Sequence, residues 1–468
     1  MKIILFSTPS MDYKGNKLVP IGYDATRECP PYGLYLLGTI LSQNKHEVVV
    51  ADLVAHGTND ISKFKKEITD SSLLGISATT LSWPTAIDVI DQVRQTSPTV
   101  PIVLGGVHPS TFPRYILNRF KVDYIISGEA ELSLLKLCDA LSGACDLSDV
   151  PGLIWKKADG SIIMNLKADR LSEKMLSSSP APDFSLVPAN VYKGLSIESS
   201  RGCAFNCSFC SASYRKKWVP LDPERFVDNL EEIMVNLNLT KYNIIYIIDD
   251  EFSLNTKRCV EIADTIRKKG INPRMTYDSR VGDINPMFLE SMKDFTHQIL
   301  IGAECGYNSG LNKIGKGTSI TDIENAAQNL SKYGLAGSTD FSFIVGFPWE
   351  TRQDIDKTLE YAGYLLAEYG VRILIQWYLQ MPASRIWIEF RESEIVHESM
   401  YDEYGFFRNL YLFRSGNILK PSEIWELSRV IENIKVLSQL RFPNIKKIDH
   451  ALPLPIYQYF PENYYDLS

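Results

Sequence analysis

At 468 residues the chain is too long for one ordinary hydrophobic core, so two or three domains are expected. Its 45% hydrophobic and 22% charged residues suit a soluble globular protein, and a net charge of −7 without a Lys/Arg-rich run speaks against a nucleic-acid-binding surface. The opening "MKIILFSTP" reads as a first strand rather than a signal peptide, and no apolar run approaches membrane-spanning length. A cytoplasmic protein is the expectation.

Residues 1–145 alternate apolar, strand-like runs (2–9, 47–53, 73–80, 101–108 and 122–129) with stretches of helical apolar spacing such as "YGLYLLGTILSQN". This alternation predicts a doubly wound, Rossmann-like parallel sheet, whose ligands bind beyond the carboxyl ends of the strands. The residues at those ends are small: Ser77, Thr79, Thr80, Gly105, Gly106, Ser110 and Gly128. They would let a large flat ligand lie against the backbone, or they are only tight turns.

Residues 146–190 read as a linker with a small hairpin turning at Asp159-Gly160. From 191 to 385 the alternation resumes with six strand candidates, at 195–200, 243–249, 274–279, 298–304, 338–346 and 372–379. Six such units predict a partial TIM-type (β/α)6 barrel, with its chemistry at the C-terminal strand ends. Residues 386–468 read as a helical region with a Pro/Tyr-rich end, without a legible function.

Of eight cysteines, Cys203, Cys207 and Cys210 fall together on the loop leaving the first barrel strand. Cys138, Cys145, Cys259 and Cys305 are scattered and read as small buried apolar residues. Thiolates select zinc, copper(I) and iron–sulfur clusters. A closed zinc site needs four ligands, and none of the six histidines is near in sequence. A 4Fe–4S cluster held by three thiolates keeps one iron open to a substrate or cofactor.

"RGCAFNCSFC" resembles the radical SAM signature C-x3-C-x2-C, including the aromatic Phe209 before the last cysteine. The resemblance implies a 4Fe–4S cluster whose open iron is chelated by S-adenosylmethionine (SAM). Reductive cleavage of SAM then yields a 5′-deoxyadenosyl radical. By the same resemblance Phe209 packs by the adenine. "IIDDEFSLN" would bring Asp249 and Asp250 to the site, "LIGAECGYNSGLNKIGKGT" would turn Glu304 to the SAM ribose or amino group, and Gly346 of "FIVGFPWET" would lie near the adenine. Cys305 stands where the family has a serine, and "LQMPASRIW" replaces a common P-G-T element.

The first half is similar to the cobalamin-binding domain that precedes many radical SAM enzymes, through "CPPYGLYLLGTIL", "GISATTLSW", "VLGGVHPSTFP" and "DYIISGEAELSLLKL". That resemblance puts cofactor contacts at Ser77, Thr79, Gly105, Gly106, Gly128 and Glu129. Cobalamin proteins that replace the lower axial ligand use D-x-H-x-x-G. Here Asp52 to Gly57 keeps the outer spacing, but Val54 takes the histidine's place and His56 comes two positions late. No histidine ligation is expected, His56 reads as a polar loop residue, and His108 as a loop-packing residue or a cofactor contact.

The expectation is a cobalamin-dependent radical SAM C-methyltransferase acting on an unactivated carbon of a small molecule or natural-product intermediate, with a flavodoxin- or ferredoxin-type electron donor. Ring contraction, cyclisation or oxidation with the same cofactors is the alternative within the class. A non-catalytic cobalamin sensor is the alternative outside it, and would not need the three thiols. Methylthiotransferases carry a second cysteine cluster that the N-terminal half lacks.

Overall fold

In a computed structural model, which describes residues 1–14, 16–21, 28–166, 170–391, 397–404 and 418–441, the chain divides into two units. The first comprises residues 1–195 with 235–241 and 397–406, and the second takes the remainder.

The first unit is built on β1 (Lys2–Ser7), whose side chains from Ile3 onward are buried. A short antiparallel pair, β2 (Met11–Lys14) and β3 (Lys17–Pro20), follows it. Next come β4 (Glu47–Asp52), β5 (Leu73–Ser77), β6 (Ile102–Gly105), β7 (Tyr124–Ile126), β8 (Leu153–Lys156) and β9 (Ile162–Met164). The sheet order is β4-β1-β5-β6-β7-β8-β9, parallel as far as β7. A parallel strand buried on both faces has to be apolar along its length, which is what "KIILF" supplies. Strand order reverses between β1 and β5, so the ligand crevice of this sheet type opens at their carboxyl ends. Below it, Leu5, Leu34, Leu41, Val103, Ile126 and Leu134 share one core with the helices Tyr32–Gln43 and Glu131–Leu141.

Two features depart from the sequence reading. The hairpin of 146–190 is not free-standing, because β8 pairs antiparallel with β7 and β9 with β8, extending the sheet. Its apolar face, Leu153 and Trp155, lies in the same core. Residues 397–404 also join this unit rather than a separate C-terminal region. Asp402 accepts from Trp83 Nε1 (2.9 Å) and from Tyr115 OH, and pairs with Arg119 (3.2 Å), while Tyr404 OH donates to Asp88 at 2.6 Å.

The second unit holds a six-stranded sheet in sequence order, the partial barrel expected: β10 (Gly194–Ile197), β13 (Ile244–Ile247), β14 (Met275–Arg280), β15 (Thr296–Glu304), β16 (Thr339–Val345) and β17 (Arg372–Trp377). β13 through β17 pair parallel. Between β10 and β13, the two-residue strands β11 (Ser200–Arg201) and β12 (Val219–Pro220) pair antiparallel and close the base of the cysteine loop. The covering helices begin at polar caps: Asn255 accepts from Arg258 N–H, and Ser319/Asp322 and Thr351/Asp354 form capping boxes. Each such cap is worth about 1 kcal/mol. The helix Pro421–Arg441 packs on β17, where Ser438 Oγ accepts from the Ile373 amide at 3.2 Å. Among the described residues no helix is long and apolar enough to cross a membrane.

Candidate functional site

In the first unit a cavity of about 130 Å³ opens at the carboxyl ends of β5 and β6, where Gly33, Leu34, Gly75, Ser77, Gly105 and Gly106 are among its walls. Gly106 has φ +100°, and a Cβ there would run into the Ala78 carbonyl. Gly105 faces open space, with nothing within 4 Å of an added Cβ. The structure therefore brings Ser77, Gly105 and Gly106 together. Thr79 is exposed just beyond β5, its amide and hydroxyl bonded to Ser82 Oγ. Gly128 follows β7 at φ +112°, and Glu129 turns its carboxylate to the Leu171 amide (2.7 Å) and Arg170 (3.9 Å). Gly33 and Leu34 were the missed wall; the signal was the "PPYG" helix entry, where an added Cβ on Gly33 meets nothing.

The Asp52–Gly57 stretch is a four-residue helix (Leu53–His56) capped by Asp52 and closed by Gly57 at φ +59°. Buried Asp52 accepts from Ser7 Oγ (2.9 Å), Ala55 N–H (3.1 Å), Tyr35 OH (3.0 Å) and Tyr192 OH (2.7 Å). Burial beside this carboxylate drives both tyrosine hydroxyls upward, so they stay protonated donors. The acid of the motif thus anchors the domain and its linker, and His56 is exposed. His108 is fully buried, stacked on Trp83 at 4.8 Å, with Nδ1 3.4 Å from Thr80 Oγ1. Burial lowers its pKa to about 3, so it is a neutral packing residue behind the loop.

In the second unit the cysteine loop leaves β10. Cys203, Cys207 and Cys210 are free thiols, Cys207 buried and the others half-buried. Gly202 turns the chain at φ +77°. Two N–H groups aim at sulfur: Ala212 N to Cys210 Sγ (3.3 Å) and Arg280 Nη1 to Cys207 Sγ (3.6 Å). Donors directed at sulfur suit thiolate ligands, and three sulfurs on one short loop fit a cluster with one open iron. Burial, with Asp250 and Glu251 nearby, pushes the Cys203 thiol up, and burial with Cys207 and Asp250 does the same at Cys210. Metal binding must therefore displace protons from them. Among the described residues no three His, Cys, Asp or Glu side chains stand close enough to hold a single metal ion.

The neighbouring acids divide sharply. Asp249 is buried and accepts from Ser199 N (2.7 Å), Ser199 Oγ (2.6 Å) and Ser200 Oγ (2.6 Å), tying the end of β13 to the exit of β10. Burial raises its pKa against those bonds. Asp250 is exposed, close enough to Cys203 and Cys210 to act on both. Glu251, pushed by burial to about 8, accepts from Ser253 Oγ (2.7 Å) and the Arg280 amide (3.2 Å).

Glu304 ends β15 in the left-handed region (φ +67°), at an irregularity in the β15–β16 register. Its Oε1 meets Lys316 Nζ at 2.7 Å, both side chains under 10% exposed. Gly302 makes the room, since a methyl there would press on Glu304 Oε1 and stand 2.6 Å from Lys316 Nζ. Arg280 bonds the Lys316 carbonyl and lies 3.6 Å over the Phe205 ring, joining the cysteine loop to this pair. The Phe209 ring sits 6.0 Å from Phe347, which stacks on Trp349 at 5.2 Å. Gly346 has φ +83°, and a Cβ there would reach 2.6 Å from Trp377. Glu350 fixes this turn by accepting from the Gly346 (2.7 Å) and Phe347 (3.0 Å) amides and Tyr307 OH (2.8 Å); burial raises its pKa to about 7. Arg280 and Lys316 escaped the sequence reading. Arg280 was legible only as a cation ending an apolar strand, and Lys316 as the lysine of "KIGKG". Cys305 and Cys259 are buried apolar fillers, as expected.

Known proteins match both units. Residues 197–362 match the Radical SAM superfamily and residues 19–137 the B12 binding domain. An uncharacterized methyltransferase of Pyrococcus horikoshii is 30% identical over 369 residues, 76% of this chain and 78% of the relative. The anaerobic magnesium-protoporphyrin IX monomethyl ester cyclase of Rubrivivax gelatinosus is 25% identical over 401 residues, 81% and 68% of the two chains. The cobalamin-dependent SAM radical enzyme OxsB, solved with aqua-cobalamin and SAM bound, shares the fold at TM-score 0.69 and 17% identity, covering 94% of this chain and 71% of that one. The cofactors of such an enzyme are a 4Fe–4S cluster, SAM and cobalamin. With the three-thiol loop and the crevice at the β1/β5 reversal in one polypeptide, the chain belongs to the cobalamin-binding radical SAM enzymes.

Proposed function

We propose that the protein is a C-methyltransferase that methylates an unactivated carbon of a small molecule or natural-product intermediate. The observation that carries this reading is Val54 in place of the motif histidine, with Asp52 committed to Ser7, Ala55, Tyr35 and Tyr192. Position 54 then carries no imidazole that could hold cobalt, which would suit handing a methyl group to a carbon radical. The methyltransferase among the relatives supports the same reading.

Cys203, Cys207 and Cys210 would hold the cluster, and Ser77, Gly105 and Gly106 would admit cobalamin; when bound, these groups supply the electron for SAM cleavage and the methyl carrier. The chain's own residues orient and exclude water. Glu304, held by Lys316, presents a buried carboxylate for the SAM ribose or amino group. Asp250, exposed near Cys203 and Cys210, would face ligand, whereas Asp249 positions the exit of β10. Phe209, Phe347 and Gly346 form an apolar, closely turned wall for the adenine. Arg280 couples Cys207 to the carbonyl behind Lys316.

The cyclase among the relatives favours one second reading, an oxidation or cyclisation with the same cofactors. Product analysis separates the two. Methylation yields S-adenosylhomocysteine together with 5′-deoxyadenosine at every turnover, whereas 5′-deoxyadenosine without S-adenosylhomocysteine would refute methyl transfer. Replacing Cys203, Cys207 and Cys210 by Ala is expected to abolish the cluster's absorbance and both products. Full function without the thiols would leave a cobalamin sensor.

A further inference from the structure

Residues 397–404 follow the barrel in sequence and lie outside the matched B12 binding domain, yet they pack in the first unit. Their contacts fall on the connections that leave the carboxyl ends of three adjacent strands, β1, β5 and β6. Tyr404 meets Tyr13 of the β2–β3 hairpin after β1, ring centres 6.0 Å apart. The Asp402 side chain, 10% exposed, accepts from the indole of Trp83, which opens the helix after β5, and from Tyr115 OH after β6. Tyr401, 1% exposed, stacks on Phe112 at 5.7 Å and stands edge-on to His108 at 5.8 Å, both in the connection after β6. These contacts lie directly behind the cavity walls. The Ala78 amide donates to the Gly105 carbonyl (3.0 Å) and the His108 amide to the Ala78 carbonyl (3.4 Å), so the two loops are joined at the glycines. The His108 ring fills the space between Trp83 and Tyr401 and reaches Thr80 of the loop after β5.

We infer that residues 397–404 are part of the cobalamin site, a strap whose Tyr401 and Asp402 position the loops after β5 and β6 for the cofactor. The inference rests on the cobalamin-binding assignment and stands whether or not the reaction ends in methylation. Ser77, Gly105 and Gly106 offer a ligand backbone and one small side chain. Such walls cannot adapt by changing rotamers, so their placement is set by what packs behind them. Without Asp402 the fully buried Trp83 would lose the acceptor of its indole N–H, and without Tyr401 the His108 ring would lose one packed side. Either change frees the loops to shift under the ligand. Tyr404 has a different part. Its hydroxyl donates to Asp88 (2.6 Å) and lies 3.3 Å from Thr85 Oγ1, so it holds the strap to the helix Trp83–Thr96 and touches neither loop.

The test titrates hydroxocobalamin into the full, cluster-reconstituted chain without turnover, read by its visible absorption. Calorimetric titration of SAM and urea unfolding are run on the same samples. Asp402→Ala is expected to lose about tenfold in hydroxocobalamin affinity, the factor carried by one hydrogen bond to a charged group. Tyr401→Leu, which keeps apolar bulk but no ring beside His108, should show a similar loss, so the outcome does not hang on one variant's folding. Asp402→Asn keeps an acceptor oxygen for Trp83 and should recover most of the affinity. What it gives up is the charge pair with Arg119, which is 59% exposed and contributes little. Tyr404→Phe removes a hydroxyl bond from the same strap and should keep wild-type hydroxocobalamin affinity at a comparable cost in urea stability. SAM affinity should be unchanged in all four variants. Wild-type hydroxocobalamin affinity in Asp402→Ala and Tyr401→Leu would overturn the inference. So would losses that track urea stability equally in Asp402→Ala and Tyr404→Phe, because the strap would then serve the fold alone. A matching loss of SAM affinity, or a wild-type chain that binds no hydroxocobalamin, would overturn it as well.

Discussion

Gly302→Ala is the sharpest probe of the proposed SAM contact, because it acts on Glu304 without replacing it. The added methyl would press on Glu304 Oε1 and lie 2.6 Å from Lys316 Nζ. Both atoms are the far ends of flexible side chains, so they can swing aside. The stability cost should therefore stay near the low end of the overpacking range, about 1 kcal/mol. Function should suffer more. Clearing the methyl needs a shift of roughly 1 Å in the carboxylate, and misplacing a positioning group by that much can cost on the order of a hundredfold. One lost charged hydrogen bond is worth about 1.5–3 kcal/mol, so SAM affinity should fall about 10- to 100-fold. Calorimetric titration of SAM into the cluster-loaded variant measures the affinity, and urea unfolding measures the stability. Wild-type SAM affinity with intact folding would refute the placement of Glu304 at the cofactor. A collapse in stability would instead refute the picture of a flexible pair yielding to the methyl.

Two further outcomes follow from backbone geometry and burial. Gly105→Ala should leave the melting temperature unchanged and weaken cobalamin binding, because its methyl enters open space at the cavity mouth; Gly106→Ala, at φ +100° and against the Ala78 carbonyl, should destabilise the fold by a few kcal/mol. Equal melting temperatures for the two variants would contradict this assignment. Glu350 keeps its proton in the folded state up to about pH 7, against 4.5 ordinarily. The folded state then binds more protons than the unfolded one between those values, so its share of stability falls as pH rises from about 4.5 through 7, by at most about 3 kcal/mol. Denaturant curves of wild type and Glu350→Gln across that interval should converge at low pH and differ in slope; parallel curves would show that Glu350 titrates normally.

What could be read from the sequence was whatever is encoded locally. Hydrophobic alternation is a short-range pattern, so "KIILF" and the six barrel strands were visible before any contact was known. The thiol spacing is equally local, since one loop carries all three sulfurs. The cap residues Asn255, Ser319 and Thr351 mark helix starts for the same reason. Tertiary structure decided which of two adjacent acids is buried. Asp249 and Asp250 look alike in sequence, and only the arrival of Ser199 and Ser200 from the neighbouring strand buries one of them. It also decided that Asp52, shaped like half of a cobalt-ligand motif, holds Tyr35 and Tyr192 instead. Long-range pairing turned the 153–164 hairpin into the edge of the first sheet and sent residues 397–404 back to Trp83.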